Sequence, residues 1–143
     1  MAPEHSGAVE TVFCYGTLVW PEVVEAVTGQ RFCCARAVLP GFVRFRLRDE
    51  VYPAVVARAG AETDGRVWLG VDTRALARLD AFEGQLYERR ALPVRGDGGE
   101  TFPAWTYVLH PRAHGRLSDE PWDRDAFAAR HLAAFLAGFR GAP

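Results

Sequence analysis

The chain has 143 residues, a net charge of −1, 49% hydrophobic residues and 24% charged residues. These values are typical of one soluble globular domain. The near-zero charge argues against a polyanion or an anionic lipid surface as a ligand, so we expect no nucleic-acid partner and no membrane partner. Every basic residue apart from His is Arg, and the lack of Lys excludes Schiff-base chemistry through a lysine.

Residues 1–10 lack the basic segment and the apolar core of a signal peptide. We expect them to form a disordered or frayed tail, followed by a single domain over residues 11–143. Three cysteines, two of them adjacent, are too few for a disulfide framework. We therefore expect buried, reduced thiols at Cys14, Cys33 and Cys34, and a cytoplasmic location.

The first apolar run, residues 12–15, predicts a buried strand that stops at Gly16 and Thr17. Glycine at this position allows a positive φ angle and a close approach by another group. Successive backbone N–H groups in such a turn can converge on an anion. The alternative is an ordinary turn at the end of a strand.

The next segments predict a helix and two strands. Pro21 suits the start of a helix that Gly29 ends. Residues 31–39 are predicted to be a strand, and the proline and glycine at 40–41 a turn. Residues 43–48 alternate apolar residues with arginines, which predicts a strand with its apolar side chains toward a core and its arginines toward solvent.

The middle of the chain predicts further strands separated by a polar turn. Tyr52 precedes a proline, which restricts it to extended conformations, and leads into a strand. Residues 58–65 are predicted to form a polar turn, and residues 66–71 the next strand. Two later strands, residues 87–94 and 101–109, are joined by a glycine-rich hairpin turn.

A helix between these strands carries the strongest candidate for chemistry. Leu76, Leu79 and Glu83 share one helical face, so an apolar stripe ends in a carboxylate. A carboxylate on a buried face is costly unless it is paired or protonated. The functional interpretation is a buried general base whose pKa is raised by desolvation, and a pKa nearer to about 6–7 would suit that task better than the ordinary value. The alternative is a helix-terminal Glu that reaches water or pairs with Arg89 or Arg90.

The end of the chain predicts a loop over residues 110–121 and a helix that begins at Trp122. His110 and His114 have the spacing of metal ligands on a helix, but the neighbouring proline and glycine favour a loop, and no third ligand is evident. The sequence also lacks a Gly-x-Ser-x-Gly elbow, a Walker loop and a dinucleotide fingerprint. We expect no metal and no cofactor.

Many strands and few helices, without a regular βαβ alternation, favour an α+β fold with a small, mainly antiparallel β-barrel. Short motifs then follow one another along the chain: YGTL at 15–18, LPGF at 39–42, YPA at 52–54, LDAFEG at 79–84, YER at 87–89 and WTYV at 105–108. In this order they resemble the γ-glutamylcyclotransferase-like family, in the branch of the plant avirulence-induced proteins. The resemblance implies a β-barrel with flanking helices and a cavity at one end.

The resemblance also implies roles for individual residues. Glu83 would be the catalytic acid/base, and the loop from Tyr15 to Leu18 would receive the substrate. Aromatic side chains would wall the pocket or orient the carboxylate. The predicted substrate-binding residues are Tyr15, Gly16, Thr17, Leu18, Tyr52 and Tyr87.

The reaction implied is cleavage of a γ-glutamyl amide by its own α-amine, of the amine-lyase or acyltransferase type, with release of 5-oxoproline and an amine. The partner is then a small γ-glutamyl molecule, with the oligomeric state unassigned. Residues 19–22 differ from the basic stretch of the enzymes that cleave γ-glutamyl-ε-lysine, so that substrate is not transferred. Two alternatives stay open: a non-catalytic metabolite-binding or regulatory module, and deprotection of a γ-glutamylated biosynthetic intermediate.

Overall fold

The computed structural model describes residues 9–140, with the side chains of residues 9–138. Within this range the strands are β1 (Val9–Cys14), β2 (Cys33–Leu47), β3 (Pro53–Asp72), β4 (Tyr87–Gly96), β5 (Thr101–Leu109) and β6 (Leu117–Pro121). The α-helices are α1 (Pro21–Thr28), α2 (Thr73–Glu83), α3 (Arg124–Arg130) and α4 (Leu132–Arg140). Short 3-10 helices cover Thr17–Val19, Gly84–Leu86 and Pro111–Arg116.

The strands close into a barrel. Hydrogen-bonded neighbours run in the order β3, β1, β5, β4, β2, and β2 pairs again with β3 to complete the circle. The β1–β5 pair is parallel and the other pairs of the circle are antiparallel, while β6 extends the sheet beside β2. The α+β fold with a mainly antiparallel β-barrel and flanking helices is confirmed.

The strand β1 separates two parts of the core. Its side chains alternate in direction, as in any strand. Val12 and Cys14 belong to the cluster formed with α1, α2 and α4, whereas Phe13 and Tyr15 belong to the cluster inside the barrel. The chain therefore leaves β1 with Tyr15 pointing into the barrel, next to Gly16.

Two turns predicted from glycine, proline and polar residues are wrong. Residues 40–41 lie within β2, and residues 58–65 lie within β3. The two strands pair from Cys33 opposite Leu69 to Arg46 opposite Pro53, and the register shifts at the glycine. Residues 62–65 pair with residues 37–40 of β2, and residues 58–61 fall in the register shift opposite Gly41. The long antiparallel pairing on both sides of this shift outweighs the local preference for a turn.

The boundary predicted at residue 11 also needs correction. Residues 1–8 lie outside the described residues, but Val9 and Glu10 belong to β1 and pair with Asp72 and Val71. The indole N–H of Trp105 donates a hydrogen bond to Glu10 Oε1 at 2.8 Å. These two residues are ordered because β3 is long enough to offer them backbone partners.

Other expectations also change. The predicted loop over residues 110–121 contains a 3-10 helix and β6, and the predicted last helix is divided into α3 and α4 at His131. The three cysteines are free, and Cys14 is buried, but Cys33 and Cys34 are exposed because they lie at the start of β2. Among residues 9–140, every helix is too short or too polar to cross a bilayer.

Candidate active site

A cavity of about 150 Å³ lies where β1 ends, between the ends of several elements. All seven residues predicted for the site line it: Tyr15, Gly16, Thr17, Leu18, Tyr52, Glu83 and Tyr87. The fold thus brings the early glycine turn and the later helix-end carboxylate together. Their roles in catalysis and binding stay predictions.

The helix α2 delivers Glu83 to the cavity. The Asp72 side chain caps the start of the helix by accepting a hydrogen bond from the Ala75 N–H at 2.8 Å. Leu76 and Leu79 are buried on the face toward β1, and Glu83 is the last residue of the same helix. The face that packs on the barrel therefore ends in the carboxylate that lines the cavity.

The predicted alternative partners of Glu83 are engaged elsewhere or exposed. The Arg89 Nε donates to Asp80 Oδ1 at 2.9 Å, and its guanidinium lies 4.2 Å from the Trp105 ring centroid. Arg90 is exposed. Within the part of the chain that the structure describes, the Glu83 carboxyl makes no hydrogen bond and no ion pair.

Burial without a partner raises the pKa of Glu83 from 4.5 to about 8. The rise in pKa is in the expected direction and goes beyond the value of about 6–7 that would suit a general base. Glu83 keeps some accessible surface as a residue and lines the cavity. Such a group changes charge near neutral pH and can both accept and donate a proton.

The turn after β1 presents unused backbone donors. The Val19 N–H donates to Gly16 O at 3.0 Å and closes a 3-10 turn. The N–H groups of residues 16–18 donate no hydrogen bond to any residue in the range 9–140. The Thr17 hydroxyl is likewise without a protein partner in that range, although the residue is only 7% exposed. Four polar hydrogens are therefore free for a ligand.

The reason for glycine at position 16 differs from the expected one. Its φ is −129°, so the positive φ that glycine allows is not adopted here. A Cβ atom built on Gly16 would lie 2.9 Å from Cδ and Cγ of Pro53. Glycine is needed because the start of β3 packs against the turn, which is the close approach that the sequence also suggested.

The tyrosine hydroxyls hold the walls of the cavity in place. The Tyr15 hydroxyl donates to the backbone carbonyl of Tyr107, and the Tyr87 hydroxyl donates to that of Pro53 at 2.8 Å. Burial raises the pKa of both hydroxyls far above the usual value, and the charge of Glu83 adds to the rise. Neither hydroxyl donates to Glu83, so these rings act as rigid walls.

The cavity has further walls that the sequence reasoning missed: Phe13, Cys14, Pro53, Phe82, Leu86, Tyr107 and Phe135. Phe82 and Tyr107 lie inside the LDAFEG and WTYV motifs, which were a usable signal. Phe135 carries no local signal, because α4 reaches the cavity through tertiary packing, where its ring meets Phe82 edge-to-face with centroids 6.2 Å apart. No group of three or more His, Cys, Asp or Glu able to hold a metal occurs among the described residues.

Comparisons with known proteins show the family of this chain. The family model described as "Gamma-glutamyl cyclotransferase, AIG2-like" matches residues 12–124. AIG2-like protein A of Arabidopsis thaliana is 33% identical over 141 residues, which cover 98% of this chain and 85% of that protein. Protein AIG2 C of the same plant is 32% identical over 130 residues, covering 90% and 78%.

Solved structures show the same fold. A solution structure from Arabidopsis thaliana has a TM-score of 0.72 and 30% identity, and covers 94% of this chain and 95% of its own. A structure titled "Gamma-glutamyl cyclotransferase" has a TM-score of 0.65 and covers 95% and 89%, but at 14% identity it supports the fold alone. The chain belongs to the AIG2-like gamma-glutamyl cyclotransferase family.

Proposed function

We propose that this protein is an enzyme of the γ-glutamylcyclotransferase type that cleaves a γ-glutamyl amide and releases 5-oxoproline and an amine. One observation carries the proposal. The unpaired Glu83 carboxyl shares a small cavity with the unused N–H groups of residues 16–18. A proton carrier and an anion-binding group in one hollow are the two parts that this reaction requires.

In the proposed reaction the α-nitrogen of the substrate attacks its own γ-carbonyl. The Glu83 carboxylate first takes a proton from the α-ammonium. The new C–N bond closes a five-membered ring, the bond to the leaving nitrogen breaks, and Glu83 returns its proton to the leaving nitrogen. The ring nitrogen loses a second proton, which the freed amine takes up to leave as an ammonium ion. An α-ammonium has a pKa of about 8, and burial raises the pKa of Glu83 to about 8. The proton can therefore move in both directions at little cost.

The backbone N–H groups of residues 16–18 supply the negative-charge binding in this proposal. They would hold either the oxyanion that develops on the γ-carbonyl or the α-carboxylate, and the Thr17 hydroxyl adds a fourth donor. Donors that are already in position stabilise such charge strongly, and losing one typically costs about 3–4 kcal/mol of barrier.

The size and stiffness of the cavity favour ring closure. Its volume of about 150 Å³ resembles that of an engineered cavity of about 150 Å³ that binds benzene. A space of this size suits a folded γ-glutamyl group. Because the attack is intramolecular, holding the folded conformer supplies much of the rate enhancement. The hydrogen-bonded rings of Tyr15 and Tyr87 support such a rigid pocket.

The proposal is tested by incubating the protein with a panel of γ-glutamyl amides and measuring 5-oxoproline and the released amine. We expect equal amounts of both products from the wild type, and a loss of at least about 100-fold in kcat for Glu83→Gln. Glu22→Gln is the matched control, because Glu22 is an exposed residue of α1 away from the cavity. Binding of glutamate or 5-oxoproline without turnover of any amide would instead indicate a binding module.

A further inference from the structure

The arginine at position 44 does not face solvent as the alternating pattern of β2 predicted. Its side chain is 17% exposed. Arg44 Nη1 donates to the backbone carbonyl of Tyr15 at 2.7 Å and to that of Asp64 at 3.1 Å. Nη2 donates to Asp64 Oδ1 at 2.8 Å, and the guanidinium lies 5.6 Å from the ring centroid of Trp122. Asp64 and Trp122 thus hold the guanidinium against the end of β1.

The carbonyl that Arg44 binds belongs to the peptide unit of the Gly16 N–H. In a planar trans peptide, the C=O and the N–H point in opposite directions. A guanidinium fixed on the oxygen therefore fixes the direction of the N–H. Arg44 does not line the cavity, whereas Gly16 does.

The same contact also changes the strength of the donor. A cation hydrogen-bonded to a carbonyl draws electron density from the peptide and makes its N–H a better donor. The positive charge of Arg44 thus strengthens the Gly16 N–H as a hydrogen-bond donor, although no basic side chain enters the cavity.

We propose that Arg44 is a positioning residue that orients and polarises the Gly16 N–H toward the substrate. The inference rests on the proposed function, in which that N–H binds negative charge. It assigns a role to an arginine that touches no part of the substrate. Lysine at this position would keep the charge but lose the second hydrogen-bonding arm that anchors it on Asp64.

The test compares Arg44→Gln and Arg44→Lys with the control Arg46→Gln. Arg46 lies two residues further along β2 and makes the same kinds of contact, with Glu120 Oε1 at 3.0 Å from Nε and with the carbonyls of Leu47 and Glu50. It does not line the cavity. Arg44→Gln and Arg46→Gln thus each remove a guanidinium that binds a carboxylate and two carbonyls.

Two readouts separate positioning from general stability. The first is the amide resonance of Gly16 in a nitrogen–proton NMR spectrum without ligand, which we expect to move in Arg44→Gln and to stay in place in Arg46→Gln. The second is kinetic: kcat for 5-oxoproline release should fall by about 10- to 100-fold in Arg44→Gln, with part of the loss restored in Arg44→Lys. KM for the amide should change less than kcat, because the donor acts mainly on charge that develops during the reaction.

The outcomes are distinguishable. A Gly16 resonance and a kcat in Arg44→Gln that match those of Arg46→Gln would overturn the positioning role. If Arg44→Gln does not fold, Asp64→Asn tests the same point, since it loosens the guanidinium while leaving it beside Tyr15. A wild type that turns over no γ-glutamyl amide would end the proposed function, and the NMR comparison would still decide whether Arg44 orients the peptide.

Discussion

Replacing Glu83 by Gln should stabilise the folded protein at neutral and alkaline pH while it abolishes turnover. The carboxyl is buried without a hydrogen bond or ion pair in the described part of the chain, and its pKa is raised from 4.5 to about 8. Glutamine has nearly the shape of a protonated glutamate and no charge to desolvate. The variant therefore removes the cost of ionising this position.

The sign and the size of the change in unfolding free energy follow from the protons that the folded and unfolded chains bind. Between pH 4.5 and about 8, the folded chain keeps the Glu83 proton and the unfolded chain has lost it. The free energy of unfolding therefore falls as the pH rises through this interval, and its contribution is complete only below pH 4.5. At about 1.4 kcal/mol per pH unit the loss is at most about 5 kcal/mol. Because Glu83 as a residue keeps some accessible surface, solvent screening reduces the expected loss of unfolding free energy to about 2–4 kcal/mol.

Urea unfolding at several pH values between about 4 and about 9 measures this difference. We expect wild type and Glu83→Gln to be equally stable at the acid end, and the variant to be more stable by about 2–4 kcal/mol at the alkaline end. Glu22→Gln, at an exposed position, should follow the wild type throughout. A Glu83→Gln variant that tracks the wild type at every pH would refute the idea of a desolvated, unpaired carboxyl.

Three further predictions concern the cavity. Gly16→Ala places a Cβ 2.9 Å from Pro53, so the free energy of unfolding of this variant should drop by about 1–3 kcal/mol and its turnover should fall. An unchanged free energy of unfolding together with unchanged turnover would contradict the packing argument. The wild-type kcat/KM should rise with pH by about tenfold per unit up to about pH 8, as Glu83 ionises; a flat acid side in the pH–rate profile would exclude Glu83 as the base. Thr17→Val should leave the free energy of unfolding within about 1 kcal/mol of the wild type, because the hydroxyl has no partner among residues 9–140. Calorimetry should nevertheless show weaker binding of 5-oxoproline to the variant. Equal binding would show that the hydroxyl takes no part in the site.

The parts of the site that could be predicted are those set by local sequence. Gly16 ends an apolar run, and Glu83 ends an apolar stripe, so both positions follow from periodicity within one element. Their meeting was implied by the family resemblance, and the cavity contains both. The pKa of Glu83 was predicted to rise, because a carboxylate that ends a buried stripe loses water wherever the helix packs.

The parts that could not be predicted depend on contacts between distant segments. Arg44 belongs to an alternating pattern that predicts a solvated arginine, but Asp64 in β3 and Tyr15 just after β1 bind it. Phe135 reaches the cavity only because α4 packs against α1 and α2. The predicted turn over residues 58–65 failed for the same reason, since the β2 partners of residues 62–65 lie far away in the sequence.

Product analysis in ¹⁸O-labelled water tests the central claim most directly. Attack by the substrate's own α-amine involves no water, so the 5-oxoproline released by the wild type should carry no ¹⁸O, should equal the released amine in amount, and should disappear in Glu83→Gln. Glutamate that carries one ¹⁸O in its γ-carboxyl group would show that water is the nucleophile, and would contradict the account of a cavity built for ring closure.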